Sequence, residues 1–169
     1  MANNFDDLVA ANRILAREKV LDGYGHISVR DFDNPRQYFI SRSLAPELVT
    51  AGDIVALDVT SSSPVASSDQ PLYLERFIHG SIYKARPDVN AVVHTHSPSV
   101  IPFGIVSSVP MRPVYHMSGF LHPGVPIYEI RNDAGMSDML IRSIKHLNPV
   151  AFISTGHCRL TRRAAHVTG

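Results

Sequence analysis

The segment VVHTH sets His94 and His96 two residues apart at the end of an apolar run. On a strand, residues two apart leave the same face, so two imidazoles stand side by side and can meet one cation while Thr95 points away. Two histidines at this spacing also arise as ordinary core or surface residues. Neutral imidazoles paired at the end of an apolar strand are a poor packing solution, however, and this favours a metal role. Glu75 lies on the helix expected just before that strand, flanked by Leu74 and Phe77. One reading is a carboxylate whose pKa is raised by apolar neighbours, able to take and return a proton beside a Lewis acid. The other is a solvated residue paired with Arg76, or with His79 one helical turn on. Spacing alone leaves the two level. His79 reads as an orienting or capping group ahead of a ligand.

The elements that must position these residues follow from periodicity. Residues Asn3 to Leu21 suit an amphipathic helix capped by Asn3 or Asn4, with Asp6 and Asp7 at its positive end and Phe5, Leu8 and Leu15 on one face. Gly23 and Gly25 end it. HISVRD and YFIS alternate as strands, and Asn34-Pro35 turns them into an antiparallel hairpin. DIVALDV is a third strand. The Ser-rich SSSPVASSDQP after it is too polar for a core and is expected to be the most mobile segment ahead of the region that carries Glu75, His94 and His96. Leu72 to Arg86 is expected to be helical, with Leu74, Phe77, Ile78 and Ile82 turned to the core and Pro87 closing it. Then come the buried strand AVVHTH, a short helix from Ser97-Pro98, strands at PMRPVYHM and GVPIYEI, a helix from Ser137 to about His146, and a strand at PVAFIS. Strands joined by hairpins and interleaved with helices point to a mixed, mainly antiparallel sheet with helices packed on it.

Composition narrows the function classes. The 169 residues are 44% hydrophobic and 18% charged, as in a globular domain with one core, so a single domain over 1–169 is expected. Lys+Arg 16 against Asp+Glu 15, with no long run of either sign, suggests neither nucleic acid nor an anionic membrane as partner. No apolar run approaches the roughly 20 residues that span a bilayer, and the start lacks a signal peptide's order, so a cytoplasmic protein is expected. The lone Cys158 leaves any metal to His and carboxylate.

The stretch ERFIHGSIYKARPDVNAVVHTH resembles the signature of the class II aldolase/adducin family: a Glu, a His four on, a Tyr, Arg-Pro-Asp and a terminal His-x-His. The likeness extends through the first helix, GHIS, DIVALD and VPMRPVYHMSGF, about four-fifths of the chain. It implies an α/β fold, a three-layer αβα sandwich around a mixed, mainly antiparallel sheet, assembled as a homo-oligomer, usually a tetramer with sites at subunit interfaces. It implies a divalent metal, Zn2+ first and Mn2+ or Co2+ next, held by His94, His96 and a third ligand. Glu75 would be the acid/base. The reaction implied is carbon–carbon cleavage, by decarboxylation or retro-aldol chemistry through a metal-stabilised enediolate or enolate.

Departures from the family pattern bear on the substrate. The sugar-phosphate aldolases use a Gly-Asn segment, a Thr/Ser-Gly loop and a Ser-Ser pair to hold phosphate; here those places read Gly25-His26, Ser41-Arg42-Ser43-Leu44 and Tyr73-Leu74. Bulkier groups replace small donors, which argues against a sugar phosphate. His26, Arg42 and Arg112 suit a carboxylate instead, and with Ser28, Ser41 and Ser43 they are the candidate substrate-binding residues. Tyr73 and Leu74 could shape a flatter pocket. His116 stands where the aldolases place a Tyr proton donor, so it is a candidate catalytic residue or an interfacial structural one. The wider pattern resembles the branch that includes decarboxylases of hydroxylated aromatic acids. The expected function is a metal-dependent lyase acting on a small carboxylated hydroxy or keto molecule. The alternatives are an inactive adducin-like interaction domain or defective fragment, and a sugar-phosphate aldolase.

The third ligand is expected at His157, after an apolar strand, with His166 as the weaker candidate; Cys158 replaces a family glycine there. RLTRRAAHVTG does not continue as the family's helices do. The expectation is a domain incomplete at its C-terminal end, truncated or shifted in frame from near His146. His122 and His146 receive no role.

Overall fold

The computed structural model describes residues 5–106, 108–122, 124–125, 127–130, 151–156 and 165–168, with the side chains of Phe120 and of everything from 127 onward left aside. Seven strands form one sheet in the order β3-β2-β1-β4-β7-β6-β5. They are β1 (His26–Arg30), β2 (Gln37–Ser41), β3 (Ile54–Asp58), β4 (Ala91–Thr95), β5 (Ile127–Ile130), β6 (Ala151–Gly156) and β7 (Ala165–Thr168). Only β5 and β6 run parallel; every other neighbouring pair is antiparallel, so the mixed, mainly antiparallel sheet is as expected.

Alternation along the strands sends side chains to two faces, and each face carries a helix. Helix α1 (Asp6–Arg17) covers one, where Leu8 packs with Ile27 and Phe39. Helix α2 (Arg76–Ala85) covers the other, where Ile82 and Tyr83 pack with Tyr38, Ile40, Leu57 and Val92. This is a three-layer αβα sandwich. None of the described helices is long and apolar enough to cross a membrane.

Several elements differ from expectation. Helix α1 stops at Arg17, short of the two glycines, because Lys19 turns into the left-handed region at φ 58°. Its expected Asn3 or Asn4 cap lies outside the described residues, as does the Ser137–His146 helix. Helix α2 starts at Arg76, not Leu72, and its buried face is formed by His79, Ile82 and Tyr83. Leu74 precedes the helix and Phe77 falls on its outer side, leaving them 79% and 46% exposed rather than in the core. The Ser-rich loop is partly built in: Ser62 is buried, and its carbonyl accepts a hydrogen bond from Arg76 Nε at 3.0 Å. PMRPVYHM is not a strand. Pro110 and Pro113 remove ladder donors, and residues His116–Leu121 wind into a 3-10 helix stapled by Ser118 Oγ donating to the Tyr115 carbonyl at 2.6 Å. A five-residue helix α3 (Ile101–Ile105) forms where a short one was expected after Ser97-Pro98.

Arg30 locks the sheet to α2. Buried on the α2 face, its guanidinium donates to the carbonyls of Tyr83, Arg86 and Val89 at 2.8–3.0 Å and to Pro35 O at 2.9 Å. One cation thereby satisfies the C-terminal carbonyls of α2 and fixes the turn that leads into β4.

Candidate functional site

The register between β1 and β4 sets His26 opposite His94, and both point toward the α2 face. Their rings stack at 4.7 Å with 12° between planes. Gly25, just before β1, lies so close to this pair that a Cβ there would come within 3.1 Å of the His94 carbonyl oxygen and 2.8 Å of the Leu21 side chain. A larger residue here would push the Leu21 side chain aside and crowd the His94 carbonyl. Thr95 turns to the opposite face, where its hydroxyl donates to the Val20 carbonyl.

His96 follows the end of β4, and its Nε2 lies 3.0 Å from His94 Nε2. Two imidazole nitrogens this close can both reach one ion at the roughly 2.0–2.1 Å of a zinc–nitrogen bond. The other ring nitrogen of His96, Nδ1, contacts both carboxylate oxygens of Asp22, at 3.0 and 3.1 Å. Partial burial pushes the Asp22 carboxyl up. The hydrogen bond from His96 and those from the Tyr24 and Gly25 amides outweigh it and hold the group below its ordinary value. Asp22 is then an acceptor only, so the contact favours a proton on His96 Nδ1, an arrangement that would leave Nε2 to face His94.

His79 fills the space behind. It is fully buried, and its Nδ1 is 2.6 Å from Ser28 Oγ, which also meets Tyr83 OH at 2.8 Å. Burial, with a smaller effect from His94, holds the His79 pKa well below the usual imidazole value, so the ring is neutral. Burial likewise pushes the Tyr83 phenol up. His26 sits among His94, His79 and Tyr73, the last at 4.0 Å between ring centroids.

In front lies a cleft of about 390 Å³ whose walls include Tyr24, Ser43, Leu44, Tyr73, Glu75 and His96. Glu75 occupies the N-cap position of α2 and is half-buried at the cleft wall. Its candidate partners are turned elsewhere: Arg76 donates to the Tyr73 and Ser62 carbonyls, and His79 turns to Ser28. Leu74 and Phe77 are too exposed to wrap the carboxylate as the sequence suggested. Tyr73 OH both accepts from the Leu44 amide and donates to the Leu44 carbonyl, pinning one wall of the cleft. A larger apolar cleft of about 500 Å³, between α1 and Phe32, contains none of these histidines.

The remaining candidates divide. Ser43 lines the cleft beside Glu75. Ser28, Ser41 and His26 have no exposed surface, and Ser28 is engaged with α2, so these three stand behind the cleft rather than in it. Arg42 donates Nε to Asp53 at 2.7 Å, an ion pair on the β2 to β3 side. Arg112 and His116 are exposed and lie outside the cleft, His116 against the Tyr115 ring at 4.3 Å. His157, Cys158 and His146 lie outside the described residues. His166 stands opposite His94 in the β4–β7 register. Among the described residues, no group of three or more His, Cys, Asp or Glu side chains could hold a metal ion. The donors that do converge, two imidazoles of which one is backed by a carboxylate, are of the kind that hold a divalent metal ion. Sequence reasoning missed Asp22. Its signal was an Asp-Gly turn immediately ahead of GHIS, legible only once β1 is known to pair with β4.

The family model for the Class II Aldolase and Adducin N-terminal domain matches residues 6–161. The chain is 41% identical over 139 residues to decarboxylase tropJ of Talaromyces stipitatus, covering 80% of this chain and 52% of that protein. It is 29% identical over 153 residues to 3,4-dihydroxyphthalate decarboxylase of Arthrobacter keyseri, covering 79% and 59%. The chain therefore spans little more than half the length of these curated relatives. Among solved structures, the fold is similar to that of YgbL, a putative aldolase/epimerase/decarboxylase from Escherichia coli. The TM-score is 0.79 at 16% identity, covering 97% of this chain and 77% of that one.

Proposed function

The chain belongs to the class II aldolase and adducin N-terminal domain family, and from that premise we propose that it is the catalytic domain of a divalent-metal lyase that decarboxylates a small hydroxylated carboxylic acid. The observation that carries this is the convergence of His94 Nε2 and His96 Nε2 at 3.0 Å beside a cleft that also bears Glu75. An ion held there supplies a Lewis acid for the negative charge that develops on substrate oxygen when a carbon–carbon bond breaks.

The chain's own residues do the rest. His94 and His96 bind, with His157 proposed as the third ligand. Glu75, at the cleft wall while Arg76 and His79 engage other partners, delivers a proton to the carbon that loses carbon dioxide and regains one from solvent. Tyr73 and Leu44 form a wall that suits a flat ring, and Ser43 offers a hydroxyl. Decarboxylation is favoured over retro-aldol cleavage because both curated relatives are named decarboxylases. A sugar phosphate is disfavoured because Tyr73 and Leu74 stand where the sugar-phosphate aldolases carry a Ser-Ser pair. Arg112 and His116, outside the cleft, would serve substrate across a subunit contact in a cytoplasmic homo-oligomer, whereas Arg42, paired with Asp53, adjoins Ser43 at the cleft. Exposed Val109, Val114, Tyr115 and Met117 supply apolar surface for such a contact.

The test is product analysis with Zn2+, Mn2+ or Co2+ over a panel of hydroxy-aromatic acids and 2-keto-3-hydroxy acids. Carbon dioxide release that falls at least about 100-fold in Glu75→Gln, with metal content unchanged, is the expected result. Release of aldehyde instead would move the assignment to aldol cleavage. Full turnover in Glu75→Gln would remove Glu75 from the chemistry.

A further inference from the structure

His96 is the least anchored member of the histidine pair. It lies just past the end of β4, outside the ladder that holds His94 opposite His26. A side chain so placed has rotamer freedom, and a nitrogen donor that must meet an ion at a fixed point gains from losing it. The contact that restrains it comes from a segment 74 residues earlier in the chain.

The geometry points to Asp22 as the positioning residue for His96: its carboxylate accepts the Nδ1 proton, fixes the ring's tautomer and aims Nε2 at the point where His94 Nε2 also aims. This rests on the metal-lyase reading above. Asp22 is itself immobilised for the purpose, because its Oδ1 accepts from the amides of Tyr24 at 3.0 Å and Gly25 at 2.8 Å. The tight turn that closes against His94 through Gly25 therefore also delivers the carboxylate to His96. Carboxylate–imidazole–metal arrangements of this kind raise the basicity of the ligating nitrogen and hold its direction. Asp22 is not among the residues that line the cleft, and the side chain there that it contacts is His96.

Asp22→Asn separates positioning from folding, since the amide oxygen can still accept from Tyr24 and Gly25 while the carboxylate charge is gone. Zinc affinity of the full chain, measured by chelator competition, is expected to weaken by about 10- to 100-fold, with the thermal midpoint little changed. Independently, nitrogen-15 long-range correlation spectra of the metal-free parent should show His96 as the Nδ1–H tautomer, and Asp22→Asn should populate Nε2–H. Zinc affinity within twofold of the parent, or an Nε2–H tautomer in the parent itself, overturns the inference. A parent that takes up no zinc overturns the lyase reading and this role with it. A parent that binds zinc through His94 while Asp22→Asn binds equally well overturns this inference alone.

Discussion

Ser28 shows how a residue placed by motif takes its meaning from what it touches. Its hydroxyl is buried and bridges His79 Nδ1 and Tyr83 OH, two groups on α2 whose only route past desolvation is a partner inside the fold. Substituting Ser28→Ala leaves a ring nitrogen and a phenol facing each other across a small void. We expect a loss of about 1–3 kcal/mol in unfolding free energy, read from urea titration, with the cleft walls unchanged. A loss under about 0.5 kcal/mol, the usual range for a surface change, would return Ser28 to the substrate-binding set. At this scale the sequence was most legible where spacing is local. His94 and His96 share a face because a strand has period two, and Thr95 is reversed for the same reason. It was least legible where the partner is remote: nothing near His96 announces Asp22.

Elements were read well where hydrophobic period and turn chemistry agree, as in HISVRD and YFIS, whose hairpin forms with Ser28 opposite Ile40. They were misread where an alternating pattern was crossed by prolines, as in PMRPVYHM, or where a helix boundary depended on tertiary contact. Helix α2 begins a turn late because Tyr73 is drawn off to Leu44, and that shift brings Glu75 to the helix end and leaves Leu74 in solvent. The 3-10 turn Ala51–Asp53 leading into β3 carries a further consequence. Hydrogen bonds from Thr50, then from Arg42, hold the Asp53 carboxyl at about 2 against an ordinary 3.8. A depressed folded value means that the unfolded chain binds the proton more readily. The stability Asp53 contributes is therefore fully present above 3.8 and disappears as pH falls through about 2. Acid titration of unfolding free energy should be shallower in Asp53→Asn than in the parent across that window. Parallel curves would show that the Thr50 and Arg42 contacts do not persist in solution.

At the scale of the molecule, the site joins segments far apart in the chain: the turn at Asp22, the start of α2 at Glu75, and the end of β4 at His94 and His96. What unites them is the sheet order, in which β1 lies between its hairpin partner β2 and the distant β4. That order belongs to long-range pairing, so no local pattern encodes it, although a mainly antiparallel sheet with helices packed on it followed from strands interleaved with helices, and the three-layer αβα arrangement from the family resemblance. Arg30 reinforces the assembly by holding α2's last carbonyls against β1. The central claim is that this topology builds a metal centre on His94 and His96. Its most direct test is metal content after loading with Zn2+ and gel filtration, for the parent and for His94→Ala. One zinc per chain in the parent and none in the folded variant is the predicted result. No zinc in the parent, or equal zinc in both, would contradict it.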